Sequence, residues 1–295
     1  MIERNQGSGD GGRARSWKDL LDEAGVALGS FAEARRLVEE ASGLAGADLV
    51  LALGDAVPAR CGAYLTGMVE RRLAGEPLQY VLGSWGFRNL DLMVDPRVLI
   101  PRPETEQVVE WALSEARALA KPELVVADLG TGSGAIALSL AVELGPAASE
   151  VWATDVSTEA LEVAAANLAG IGMWAATRVR VAEGSWWSAL PTELAGRLDV
   201  VVSNPPYVAD GEELPREVGG FEPEVALRAG PDGLDAVRAI IDGAPGWLAR
   251  PGVLVVEIAP GQSETAVGLA RAAGASRAES RADLTGRERA LVAAW

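Results

Sequence analysis

Between residues 124 and 258 short apolar runs alternate with stretches of helical periodicity: Leu124 to Ala127, Val151 to Ala153, Arg178 to Val181, Val200 to Ser203 and Val253 to Ile258. A strand that is apolar along its whole length, rather than at every second residue, is buried on both faces. Such strands separated by helices predict an α/β fold with a parallel sheet covered on both sides. Two further runs, around Arg277 to Ala282 and Arg289 to Ala294, flank a turn containing Gly286 and are expected to close the sheet as a hairpin. No repeat period of about 20 to 50 residues is visible.

With 295 residues, of which 49% are hydrophobic, the chain is long enough for a sizeable core and for about two domains. Residues 1–15 are polar, charged and rich in glycine, the composition of a disordered tail. Residues 16–75 carry helical spacing, with Leu20, Leu21 and Ala24 in one segment and Tyr64, Leu65, Met68 and Leu73 in another. Ser30 followed by Glu33 has the spacing of a capping box. This predicts a small domain of four or five helices. Gly75-Glu76-Pro77 punctuates this domain, and residues 76–100 mix short apolar runs with turn formers, which predicts a β-hairpin linker. Residues 101–295 form the larger α/β domain, opening with a helix from about Thr105 to Ala120.

The chain contains no histidine and a single cysteine, Cys61. An internal disulfide, a Cys/His zinc site, a histidine-based triad and a haem-binding histidine are therefore excluded. The formal charge of −16 argues against a protein held to nucleic acid or anionic membranes by non-specific attraction. No apolar stretch serves as a signal peptide or a membrane span, so a cytoplasmic location is expected.

The first strand of the α/β region ends in Val125 to Leu129 and runs into Gly130-Thr131-Gly132-Ser133-Gly134, with a helix beginning near Ala135. Glycines let the backbone turn sharply and approach a ligand where a Cβ would clash. With Ala135 the loop also fits the dinucleotide fingerprint, so by itself it does not choose between NAD and other adenosine-containing cofactors. The next strand ends at Asp155, 21 residues after Gly134. A carboxylate there can accept both ribose hydroxyls, although an isolated Asp at a strand end is otherwise read as a cap for the helix from Ser157 to Ala169.

A later strand, Asp199 to Ser203, runs into Asn204-Pro205-Pro206-Tyr207. Two prolines make a stiff projection at the carboxyl end of a strand, the edge at which open α/β sheets bind ligands. The prolines alone describe a rigid loop; the amide before them and the aromatic after them suit a planar NH2 group. The Asn204 side-chain oxygen and the Pro205 carbonyl can accept its two hydrogens, and Tyr207 can pack on its flat face. No strong base is required, since the nitrogen becomes acidic only after it gains a substituent.

These motifs resemble the class I S-adenosylmethionine-dependent methyltransferases that modify planar nitrogens. More specifically, Leu99-Ile100-Pro101-Arg102-Pro103-Glu104-Thr105-Glu106 is similar to the signature of the HemK/PrmC family, protein-(glutamine-N5) methyltransferases acting on peptide chain release factors. The resemblance extends to Gly75 to Tyr80, Phe221-Glu222-Pro223, Asp232-Gly233-Leu234, Glu257 and Gly261-Gln262, and covers residues 17–295. It implies a Rossmann-like seven-stranded sheet with an N-terminal helical domain that helps to hold the release factor. It also implies S-adenosyl-L-methionine as cofactor, with Gly130, Thr131, Gly132, Ser133 and Gly134 along its methionine and ribose portions, Asp155 on the ribose hydroxyls, Trp186 near the adenine and Asn204 among the cofactor-binding residues as well. Asn204, Pro205, Pro206 and Tyr207 would hold the glutamine of the Gly-Gly-Gln motif. Ser185 stands where family members often carry an acidic residue that meets the adenine amino group.

Arg102, Glu104 and Glu106 suit either the substrate pocket or an ion-paired helix start, and Glu222 and Glu257 suit packing and site roles equally. The alternatives are a methyltransferase for a ribosomal-protein glutamine, an adenine or guanine amino-methyltransferase, a dehydrogenase on the same glycine loop, and a non-catalytic cofactor-binding scaffold. The net charge disfavours the nucleic-acid enzyme, and the dehydrogenase leaves Asn204 to Tyr207 unexplained.

Overall fold

A computed structural model describes residues 14–295. Most of the tail expected at residues 1–15 lies outside the described residues; of its last two, Arg15 is already in the fold, its carbonyl accepting Val57 N–H at 2.9 Å. The chain divides into two compact units, one ending at Leu82 and the other running from Gly83 to Trp295.

The first unit is helical: α1 (Trp17–Leu28), α2 (Phe31–Ser42), α3 (Gly46–Ala52), α4 (Ala59–Leu73) and α5 (Leu78–Leu82). Its core joins Trp17, Leu20, Leu37, Val38, Leu49, Leu65, Met68 and Val81. Tyr64 and Leu73, which share the helical spacing of Leu65 and Met68, are exposed instead. The reciprocal capping box sits at Ser16 and Asp19. At the predicted position only half of one forms: Ser30 accepts the Glu33 N–H, while the Glu33 carboxylate is drawn to Arg72 at 2.7 Å. A charge-assisted bond to a guanidinium is stronger than one to a neutral backbone N–H. Leu78 to Leu82, expected in a hairpin, form α5, whose first turn closes through Val81 N–H on the Pro77 carbonyl at 3.1 Å.

The second unit opens with a hairpin of β1 (Ser84–Phe87) and β2 (Leu90–Met93), followed by α6 (Pro103–Ala118). Pro103 occupies the first turn of α6, where a missing N–H costs nothing. The alternating part then reads β3 (Leu124–Leu129), α7 (Ala135–Glu143), β4 (Ala148–Asp155), α8 (Thr158–Gly170), α9 (Met173–Ala176), β5 (Val179–Glu183) and β6 (Leu198–Ser203). It continues with α10 (Arg216–Gly219), α11 (Asp235–Trp247), β7 (Leu248–Glu257), α12 (Ser263–Ala272), β8 (Arg277–Ala282) and β9 (Glu288–Ala294).

The seven strands β3 to β9 form one sheet in the order β5-β4-β3-β6-β7-β9-β8, the number that the family resemblance implies. Pairs from β5 through β7 are parallel; β9 runs antiparallel to β7 and to β8, so the last two strands form the expected hairpin. Successive residues of the central strands enter opposite cores. Val126, Val200, Val202 and Val255 pack with Val108 of α6 and Ile136 of α7. Ala127, Val201, Leu254 and Val256 pack with Val237 and Ile240 of α11. Burial on both faces is what their unbroken apolar runs require.

After β3 the chain builds outward through β4 to β5, then returns to lay β6 on the other side of β3. The loops leaving β3 and β6 therefore diverge, and a crevice opens between them at the carboxyl edge of the sheet. Ser203 Oγ donates to the Leu129 carbonyl at 2.6 Å and ties the two strand ends together beneath it.

Candidate active site

The glycine turn is held from below and from the side. Thr154 O accepts both Gly130 N–H and Thr131 N–H at 2.8 Å, and Gly134 N–H returns to Thr131 O at 2.8 Å. Gly130, Gly132 and Gly134 have φ of 76°, 54° and 86°, the left-handed region that favours residues without a Cβ. Asp128, fully buried beneath the turn, accepts from Thr131 Oγ1 at 2.6 Å and Ala137 N–H at 3.1 Å through one oxygen. Its other oxygen is buried without a hydrogen-bond partner. Burial pushes this acid up to about 7.

Asp155 stands at the end of β4 with both oxygens oriented: one accepts Gly132 N–H at 2.9 Å, the other Ser157 N–H at 3.0 Å. The N-cap of α8 is Ser157, whose hydroxyl accepts Ala160 N–H at 3.1 Å, so Asp155 is not needed as a cap. Each carboxylate oxygen keeps capacity for a further donor.

After β5 the chain turns at Gly184, and Trp186 takes a positive φ of 48°. A Cβ placed on Gly130 would lie 3.4 Å from the Trp186 ring, so the indole faces the glycine turn. Its neighbour Trp187 points the other way: it stacks on Trp247 with centroids 6.0 Å apart and donates to the Ala239 carbonyl at 3.1 Å.

At the end of β6, Asn204 Nδ2 donates to Thr105 Oγ1 at 3.1 Å, while Asn204 Oδ1 is buried with no hydrogen-bond partner. A buried acceptor left alone costs about 1–3 kcal/mol, which a ligand donor reaching it would recover. Thr105 Oγ1 donates in turn to Glu257 Oε2 at 2.7 Å. Tyr207 places its hydroxyl 3.5 Å from Glu257 Oε1, and burial followed by the Glu257 charge pushes its phenol well above the usual range. The exit of the Asn-Pro-Pro-Tyr turn is clamped by Gln262, whose Nε2 donates to Tyr207 O at 3.3 Å and Gly233 O at 3.0 Å. A Cβ on Gly233 would come within 2.3 Å of the Tyr207 carbonyl. Two separate sequence motifs, Asp232-Gly233-Leu234 and Gly261-Gln262, thus meet at this turn.

One cavity of about 460 Å³ joins these elements, within the range of about 300 to 1,000 Å³ for small-molecule sites. Gly130, Thr131, Gly132, Ser133, Asp155, Trp186, Asn204 and Pro206 all line it. Three sequence-predicted residues are not among its lining: Gly134 lies under the turn against Leu138 and Ala164, Pro205 is buried, and Tyr207 is directed to Glu257. Thr105, Val156 and Arg97 line the cavity without having been singled out. Val156 had a readable signal in its place directly after the strand-end acid. Arg97 is held by Asp95 at 2.7 Å and Glu162 at 2.9 Å.

The charged residues of the Leu99 to Glu106 motif are used in ion pairs and backbone anchoring. Arg102 pairs with the buried Glu222, which also accepts Ile100 N–H at 3.3 Å. Glu104 lies 3.6 Å from Arg289, and Glu106 accepts Arg88 N–H at 2.9 Å at the hairpin turn. None of these three lines the cavity. Asn167 fastens the other end of the hairpin, exchanging bonds with Met93 N–H and O and donating to Ser133 O at 2.8 Å.

Glycines without side chains, an oriented strand-end carboxylate and a facing indole fit an adenosine-containing ligand, and an orphaned amide oxygen beside them fits a planar donor. Comparison with known proteins shows the family. Residues 14–83 match the PrmC N-terminal domain and residues 115–218 the methyltransferase small domain. The release factor glutamine methyltransferase of Bordetella pertussis is 43% identical over 273 residues, 92% of this chain and 96% of that protein. Its namesake from Cereibacter sphaeroides is 41% identical over 88% of this chain and 90% of its own length. Among solved structures, the hMettl16 catalytic domain in complex with MAT2A 3′UTR hairpin 6 superposes with a TM-score of 0.52 at 16% identity, over 80% of this chain and 81% of its own, a likeness of fold alone. On the strength of the near full-length relatives, this chain belongs to the release factor glutamine methyltransferase family.

Proposed function

We propose that the protein transfers the methyl group of S-adenosyl-L-methionine to the side-chain amide nitrogen of the glutamine in the Gly-Gly-Gln motif of peptide chain release factors. The observation that carries this reading is the buried, partnerless Oδ1 of Asn204 at the edge of a cavity built on a glycine turn. It is an acceptor waiting for an N–H. The names of the near full-length relatives supply the acceptor class.

When bound, S-adenosylmethionine supplies an electrophilic methyl carbon on a sulfonium. The chain supplies orientation. Gly130 to Ser133 would hold the methionine and ribose portions, with Gly134 shaping the turn beneath them, Asp155 would accept from the ribose hydroxyls and Trp186 would lie along the adenine. Ser185, on the cavity wall, takes the place of the acid common in the family. Asn204 Oδ1 and the Pro205 carbonyl would each accept one hydrogen of the glutamine NH2 and Pro206 stiffens the corner, while Tyr207, outside the cavity lining, holds the turn through its hydroxyl at Glu257. With both hydrogens held, the nitrogen lone pair is directed at the methyl. After transfer the nitrogen releases its proton without a dedicated base, which suits a chain with no histidine. Positioning and hydrogen bonding supply the rate enhancement.

The release factor acts as a transient protein partner in the cytoplasm, with no stable nucleic acid and no membrane involved; among the described residues no helix is long and apolar enough to cross one. A ribosomal-protein glutamine presents the same amide, and the net charge of −16 supports a protein acceptor over nucleic acid. Incubation with labelled S-adenosylmethionine and a choice of release factor, ribosomal protein and DNA, followed by peptide mass spectrometry, tests the reading. Label is expected on the Gly-Gly-Gln peptide; label confined to ribosomal protein or DNA would refute it.

A further inference from the structure

The side chain of Asn204 faces a choice that its covalent structure leaves open. A carboxamide turned by about 180° keeps its shape but exchanges an acceptor for a donor. Only the orientation with oxygen outward can accept from an NH2 group; the reverse would set two donors against each other. Something other than shape must select between them.

Here Nδ2 donates to Thr105 Oγ1, and Oδ1 is the end left without a partner. A threonine hydroxyl has one proton, and that of Thr105 is given to Glu257 Oε2 at 2.7 Å. With its proton committed to a carboxylate, the threonine oxygen can only accept, so it takes the NH2 end of Asn204. We infer that Thr105 and Glu257 are positioning residues for the methyl transfer, together locking the Asn204 amide with its oxygen toward the acceptor nitrogen. The inference rests on the functional reading above, in which the acceptor is a planar NH2 group.

The lock requires Glu257 to be charged. Thr105 and Glu104 face it from α6, Tyr207 from the loop after β6 and Arg289 from β9, and Arg289 also meets Glu104 at 3.6 Å and Asp283 at 3.1 Å. Burial pushes Glu257 up to about 7, opposed by the Thr105 bond and Arg289 and reinforced by Glu104. A raised acid is protonated below that pH. Protonated, it can donate to Thr105 Oγ1, freeing the threonine proton for Asn204 Oδ1, and the amide reverses. The productive orientation is thus lost as pH falls through about 7.

The full-length chain contains four asparagines, Asn5, Asn89, Asn167 and Asn204, so selective 15N labelling gives few side-chain NH2 signals, and that of Asn204 is identified by its loss in Asn204→Ala. In the wild type this signal should move with a midpoint near 7 and in Glu257→Gln it should not titrate. In turnover assays with release factor, Thr105→Val should lower kcat by about 100-fold, the cost of a misplaced group, with KM for the release factor and cofactor affinity by calorimetry nearly unchanged. Thr105→Ser, which restores the hydroxyl, should recover most of the loss, and the acid limb of the kcat profile should vanish in Glu257→Gln. An Asn204 signal insensitive to pH, or a wild-type kcat in Thr105→Val, would overturn the inference. A wild-type protein that transfers no methyl to the release factor would defeat the functional reading instead, and the NMR arm would then decide the lock on its own.

Discussion

Asp155 Oδ2 accepts the backbone N–H of Gly132 at 2.9 Å, so the carboxylate at the end of β4 braces the middle of the glycine turn as well as facing the cavity. The two sequence features that pointed to a nucleoside ligand are therefore one mechanical unit. Asp155→Ala removes both the brace and the proposed ribose acceptor and is expected to weaken S-adenosylmethionine binding by about 1.5–3 kcal/mol, the range for hydrogen bonds to a charged group. Asp155→Asn, which can keep the Gly132 bond through its carbonyl oxygen, should lose less. Calorimetric titration checks the order of the three proteins.

Asn204→Ala separates binding of the two substrates. In the proposed function the residue's oxygen accepts from the glutamine, whereas the turn after β3 and the end of β4 hold the cofactor. Turnover should fall by about 100- to 1,000-fold, as for other preorganised hydrogen-bonding groups, with cofactor affinity little changed. Strong loss of cofactor affinity at normal kcat would contradict the assignment.

Gly233→Ala tests the clamp on the Asn-Pro-Pro-Tyr turn. Gly233 has a φ of 72°, and the added Cβ would meet the Tyr207 carbonyl at 2.3 Å. Backbone strain of about 1–3 kcal/mol is expected, and either the turn or the α11 side must move. Chemical denaturation should show the lost stability, and kcat should drop more than cofactor affinity.

Two buried acids make stability depend on pH in a defined direction. Asp128 and Glu257 rise from 3.8 and 4.5 to about 7 in the folded protein, chiefly through burial. Between the unfolded and folded values the folded state binds more protons, so this contribution is complete in acid and is lost as pH climbs to about 7. Each group then costs up to about 1.4 kcal/mol per pH unit across that window. Urea unfolding as a function of pH should show a shallower fall for Glu257→Gln than for the wild type; an unchanged slope would disprove the link.

Much of this was readable from the chain. The central strands β3 and β6 announce themselves because burial on both faces leaves no polar alternation to obscure them, and Gly130 to Gly134 and Asp155 keep a fixed spacing because the same βαβ geometry sets it. Other features were not legible. Thr105 lies 99 residues from Asn204 and 152 from Glu257, so their hydrogen-bonded chain exists only once β6, β7 and α6 are assembled. Tyr64 has the spacing of a core residue on α4 yet is exposed, because periodicity gives the angular separation of side chains and not which of them the neighbouring helices cover. Glu33 left its capping role for Arg72, 39 residues away, a competition that local spacing does not register.

The reversal of strand order at β3 divides labour between contiguous pieces of polypeptide. In the proposed function residues 124–186 furnish the wall for the methyl donor and residues 198–262 most of the grip on the glutamine amide, the two pieces pairing through β3 and β6. On that reading recipient preference can be rewritten in the later piece while the earlier one goes on serving the same small molecule, making this sheet a socket with an exchangeable jaw.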